Sequence, residues 1–64
     1  MIKVVFLRDK RTVELEAKNV SEVFSKLSIL REQYVVIKNG KIICEDETLS
    51  EGDNIELFTV ASGG

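Results

Sequence analysis

Asn19-Val20-Ser21-Glu22-Val23-Phe24-Ser25-Lys26-Leu27-Ser28-Ile29-Leu30 is the stretch of this chain that carries helical periodicity. Val20, Val23, Phe24, Leu27 and Leu30 recur at spacings of three and four, which gathers them into one apolar stripe. Glu22, Ser25, Lys26 and Ser28 fall on the opposite face. Asn19 can cap the helix, and Glu22 three residues on is its reciprocal partner in a capping box. A chain of 64 residues has no other element able to cover a sheet, so the stripe is read as core and not as a binding groove. What flanks the helix must supply that sheet.

On the N-terminal side, residues 1–7 are apolar and rich in β-branched side chains, and residues 12–16 alternate with period two. Arg8-Asp9-Lys10-Arg11 between them is a polar turn, so the two strands form an antiparallel hairpin. Three cations in that turn invite a nucleic-acid reading, but a four-residue tip is more simply solvated. On the C-terminal side, Tyr34-Val35-Val36-Ile37-Lys38 is a strand and Asn39-Gly40 is a strong two-residue hairpin signal. Lys41-Ile42-Ile43-Cys44 pairs back. An acidic loop ends in Glu51-Gly52-Asp53, where Gly52 suits a positive φ. Residues 54–60 form the last strand.

The order is therefore β-β-α-β-β-β, an α+β fold with one helix across one face of a mixed sheet of four to five strands. Because the helix separates two hairpins, the last strand is expected to return to the sheet centre beside the first. Its alternation puts Ile55 and Leu57 toward the helix and Phe58 and Val60 on the open face. Those two apolar groups just before the chain end suggest a contact site, and Val36 is expected to extend it.

Composition excludes much chemistry. There is no His, Trp or Pro, and one Cys. Cys/His metal sites and His-dependent nucleophile arrangements are ruled out by that inventory. A chain this short buries only about 60% of its unfolded surface, which leaves little room for an enclosed active site. Cys44 has no partner within the chain and is read as a small buried hydrophobe, which fits a reducing compartment. The opening residues carry neither a signal-peptide apolar region nor a membrane span, so a cytoplasmic location is expected.

Net charge is −2, but unevenly placed. All nine Lys and Arg lie between Lys3 and Lys41, while Glu45, Asp46, Glu47, Glu51, Asp53 and Glu56 supply six acids beyond Ile42. The acidic segment from Glu45 to Glu56, with Glu51 and Asp53 beside Gly52, is expected to surround the base of the C-terminal tail and steer a basic partner, and the charge argues against nucleic acid on that face.

The sequence closes Val60-Ala61-Ser62-Gly63-Gly64. Residues 1–60 are read as a single domain and 61–64 as a flexible tail. Glycine leaves φ and ψ almost unrestricted, so a partner can thread such a tail through a narrow channel. When extended it reaches roughly 13 Å beyond Val60. The element order, the Asn39-Gly40-Lys41-Ile42-Ile43 hairpin, the string Leu49-Ser50-Glu51-Gly52-Asp53-Asn54-Ile55-Glu56-Leu57 and the Gly-Gly end together resemble the ubiquitin-like sulfur carriers. This β-grasp family comprises the thiamine-biosynthesis carrier (ThiS) and the small subunit of molybdopterin synthase (MoaD). The likeness covers the whole chain and is most specific from Gly52 onward. Cys44-Glu45 departs from it, standing where many thiamine-type carriers have a proline.

The resemblance implies a protein co-substrate and not an enzyme. The Gly64 carboxylate would be adenylated by an E1-like activating enzyme, which uses ATP and magnesium, and converted to a thiocarboxylate. A sulfur-accepting synthase would receive the sulfur, for thiamine thiazole, molybdopterin or tRNA thiolation. No cofactor would be bound by the carrier, which is expected to be a monomer when free, with neither nucleic acid nor membrane as partner. Gly63, Ser62, Phe58, Val60, Val36, Glu51 and Asp53 are the candidate tail and docking residues. Two other uses share this architecture: a protein modifier joined to lysines through Gly64, and an interaction domain whose Gly-Gly end is incidental.

Overall fold

A computed structural model describes residues 1–60. The elements are β1 (Ile2–Phe6), β2 (Arg11–Leu15), α1 (Val20–Leu27), a 3-10 turn (Arg31–Gln33), β3 (Tyr34–Lys38), β4 (Lys41–Ile43) and β5 (Asn54–Thr59). They build a five-stranded mixed sheet in the order β2-β1-β5-β3-β4. β5 lies at the centre, parallel to β1 and antiparallel to β3, and each hairpin closes one edge. With one helix across one face, this is the ubiquitin-like β-grasp fold.

Strand alternation decides what is buried. Ile2, Val4 and Phe6 of β1 and Ile55 and Leu57 of β5 face the helix, with Val4 opposite Ile55 and Phe6 opposite Leu57. Val20, Val23 and Phe24 pack down on them, and Leu49 from the long β4–β5 connection completes the core. Each such side chain contributes roughly 1.5–3 kcal/mol when fully buried. Tyr34 closes one end, meeting the Phe6 ring edge-on at 6.0 Å and stacking on Phe24 at 6.4 Å.

Helix α1 begins at the expected cap. Asn19 Oδ1 accepts the Glu22 N–H at 2.8 Å. The return bond differs by one residue from the expected box, since Glu22 Oε1 accepts the N–H of Lys18 at 2.8 Å. The acidic connection also serves this helix end: the carbonyls of Glu47 and Glu45 accept the Val20 and Ser21 N–H groups, two of the donors a helix start leaves without intrahelical partners.

The other end corrects the periodic stripe. Ser28 adopts φ 57°, and the Ile29 N–H reaches back to the Phe24 carbonyl at 3.2 Å. The chain turns there, so Ile29 packs against the core and Leu30, expected as the last core position, is 59% exposed. Spacing alone does not report a left-handed residue at Ser28.

The turns follow their chemistry. Asn39 and Gly40 both take positive φ, 55° and 78°, as a two-residue hairpin with that handedness requires. Gly52 sits at φ 88° and donates its N–H to the Met1 carbonyl. Asp53 Oδ2 accepts the Ser50 N–H at 2.8 Å and lies 3.2 Å from Lys38 Nζ, so the loop entering β5 is pinned.

Candidate functional site: the open face and the end of the central strand

The alternation that buries Ile55 and Leu57 leaves Phe58 on the uncovered face, 54% exposed. Val35 is its Cα partner across β3–β5. One step along, Glu56 pairs with Ile37, and Ile37 with Ile42 of β4, which is 75% exposed. Val60, 46% exposed, continues the ladder past the strand, its N–H donating to the Gln33 carbonyl at 2.9 Å. The last described residue is thus tied to the 3-10 turn. The result is an apolar patch beside the place where the chain leaves the sheet.

Val36 is not in that patch. It pairs with Leu57, faces the helix and is 5% exposed. Its neighbours Val35 and Ile37 take the open-face role expected of it. Residues 35–37 are all apolar, so the local sequence carries no phase; the pairing with β5 sets it. Val35, Ile37 and Ile42 are the members of the patch that sequence reasoning missed, for the same reason.

Glu51 and Asp53 also lie elsewhere than expected. Asp53 and Glu51 precede β5, whereas the tail follows it, and the six residues of Asn54–Thr59 separate the two ends by about 20 Å. Glu51 is paired with the Met1 ammonium, and Asp53 is engaged by Ser50 and Lys38. The Ser50 N–H and then the Lys38 ammonium hold the Asp53 carboxyl below the usual aspartate range. The expectation that Glu51 and Asp53 ring the base of the tail is therefore not met.

Cys44 is exposed, not buried. β4 stops at Ile43, whose side chain is half-buried, and the next position opens a turn closed by the Glu47 N–H on the Cys44 carbonyl. Among the described residues no group of three or more His, Cys, Asp and Glu side chains is placed to hold a metal ion. No helix among them is long and apolar enough to cross a membrane. Ser62, Gly63 and Gly64, with the tail boundary at residue 61, lie outside the described residues.

A central strand that delivers a Gly-Gly end from a β-grasp body has a counterpart among known families: the family model described as "ThiS family" matches residues 3–64. The chain belongs to the ThiS family. That membership brings a sulfur carrier role in general terms, for a small carrier protein and not an enzyme. The general partners of a ThiS carrier are an E1-like activating enzyme and proteins that accept the sulfur. In this ThiS-family chain the match runs through Gly63 and Gly64, past the last described residue.

Proposed function

We propose that this chain carries sulfur as a thiocarboxylate on Gly64 for cofactor biosynthesis or tRNA thiolation. The observation that supports this most is the family match extending from Lys3 to the terminal glycine. A carboxylate resists nucleophiles until one of its oxygens becomes part of a leaving group. Attack of a Gly64 oxygen on the α-phosphate of ATP releases pyrophosphate and yields an acyl-adenylate. Sulfide-level sulfur then displaces AMP and leaves –COS⁻ on the chain. ATP and magnesium belong to the activating enzyme in this scheme, and the carrier supplies the acyl carbon and a docking surface.

The body suits that task. Phe58 and Val60 stand on or beside the strand that leads into the tail, with Val35 opposite Phe58. An enzyme that grips this face holds the end of the strand from which the chain continues to Gly64. Gly63 and Ser62 add little bulk to the tail, so it can enter a channel that the domain cannot.

Mass spectrometry of the protein isolated from its own cells tests the proposal. A mass gain equal to replacement of one oxygen by sulfur, located on Gly64, is the expected result. An unmodified terminus accompanied by Gly-Gly remnants on lysines of other proteins would replace the carrier by a protein modifier.

A further inference from the structure

The turn between β1 and β2 is cationic, and it lies at the end of the sheet where β5 gives way to Val60. β1 and β5 run parallel, and the Leu7 N–H donates to the Leu57 carbonyl at 3.1 Å. The turn that follows β1 is therefore carried to the same end of the sheet as Thr59 and Val60. That turn and the first residue of β2 carry Arg8, Lys10 and Arg11 against the single carboxylate of Asp9. Glu51 and Asp53, by contrast, are at the far end of β5 and already paired.

Two of the cations are uncommitted. Among the described residues, Arg8 and Lys10 form neither an ion pair nor a side-chain hydrogen bond, and both are exposed. Arg11 is held in place, its guanidinium carbon 4.7 Å from the centre of the Phe6 ring. Leu7 is exposed and, one residue past the Phe6–Leu57 pair, falls on the same open face as Phe58, so the apolar patch runs toward the basic turn. Interfaces are commonly built this way, with anchors inside and charge at the edge setting approach and register.

We propose that the turn formed by Arg8, Lys10 and Arg11 is a docking element for a carboxylate-rich surface on the protein that receives the tail. The idea rests on the proposed carrier function and adds to it the sign of the partner's charge. A nucleotide is not the intended ligand of the turn. The reacting carboxylate belongs to Gly64, which an extended tail carries up to roughly 13 Å past Val60, so the turn is a rim and not the reaction centre. Attraction of this kind acts chiefly on association rate and is screened over about 8 Å at physiological salt.

The test uses the full chain and the adenylating enzyme from the same cells, with stopped-flow association measured across a salt series. Wild-type association should slow as salt rises. Arg8→Glu combined with Lys10→Glu should bind about tenfold more slowly at low salt and speed up with added salt, because attraction has become repulsion. Arg8→Gln with Lys10→Gln should be slow and nearly salt-independent. Glu51→Lys, at the opposite end, should follow wild type. Unchanged thermal unfolding shows that each exposed-turn variant is folded. A wild-type rate insensitive to salt, or a reversed-charge variant as fast as wild type, overturns the docking element. ATP–pyrophosphate exchange at saturating carrier separates the two levels. Normal exchange with a salt-insensitive rate defeats the turn alone, whereas no exchange by wild type defeats the carrier reading and the turn's role with it.

Discussion

Val35 and Phe58 stand opposite one another across β3 and β5, on the face that the helix does not cover. One residue away on each strand, Val36 and Leu57 form the equivalent pair in the core. Two neighbouring rungs of one ladder thus serve different purposes: one holds the domain together and the other presents it.

Truncation of these two rungs should separate stability from binding. Phe58→Ala is expected to weaken binding to the activating enzyme by ~2 kcal/mol, the scale of an interface anchor, with little change in thermal unfolding. Leu57→Ala should instead destabilise the fold by roughly 2–5 kcal/mol, as cavity-forming core substitutions do. Calorimetric binding and unfolding measured on both variants check this. Collapse of the Phe58→Ala fold with unchanged affinity of the folded fraction would place Phe58 in the core.

Deletion of Gly64, or Gly64→Ala, is expected to abolish ATP–pyrophosphate exchange by the activating enzyme. The carboxylate would be withdrawn in one variant and hindered by a methyl group in the other. No core or strand residue is altered, so unfolding should be unchanged. Near-normal exchange by the deletion variant would defeat the assignment of Gly64 as the activated group.

The Asp53 cluster carries a pH signature. With its folded pKa lowered by Ser50 and Lys38, the carboxylate stabilises the fold above its unfolded pKa near ~4. That contribution disappears as pH falls through the lower folded value. Asp53→Asn should therefore be less stable than wild type at neutral pH and converge on it in acid. Urea midpoints measured from pH 7 down to about pH 2 report this, and parallel curves would show that the charge is not coupled to folding.

The two ends of α1 should respond in opposite directions. Asn19→Ala removes the acceptor of the Glu22 N–H and should destabilise by about 1 kcal/mol. Ser28 pays the strain of a left-handed backbone at φ 57°, so Ser28→Gly should stabilise by up to about 1 kcal/mol, less the extra freedom glycine has when unfolded. In a domain of this size each kcal/mol moves Tm by about 4–8 °C. A lower Tm for Ser28→Gly would mean that the serine side chain contributes more than the strain it imposes.

Much of the fold was legible in the residues because the signals are local. The cap at Asn19, the Asn39-Gly40 turn, the glycine at 52 and the faces of β5 each follow from one or two neighbouring side chains. Glu51 and Asp53 illustrate what was not. They are close to the tail in sequence, yet an intervening extended strand carries them to the opposite end of the sheet.

What the sequence determined by itself is the order of the elements, the buried face of the helix and the exposure of Phe58, since a periodicity of 3.6 or 2 with mixed polarity has only one consistent burial. Tertiary structure alone decided that Val36 faces inward while Val35 and Ile37 face out, because an unbroken apolar run has no phase until it pairs with a neighbour. It likewise exposed Cys44, where β4 ends earlier than its apolar run suggests. Finally, it placed the cations of the β1–β2 turn at the same end of the sheet as Val60, because β1 and β5, whose paired residues such as Val4 and Ile55 are 51 apart in the chain, run parallel.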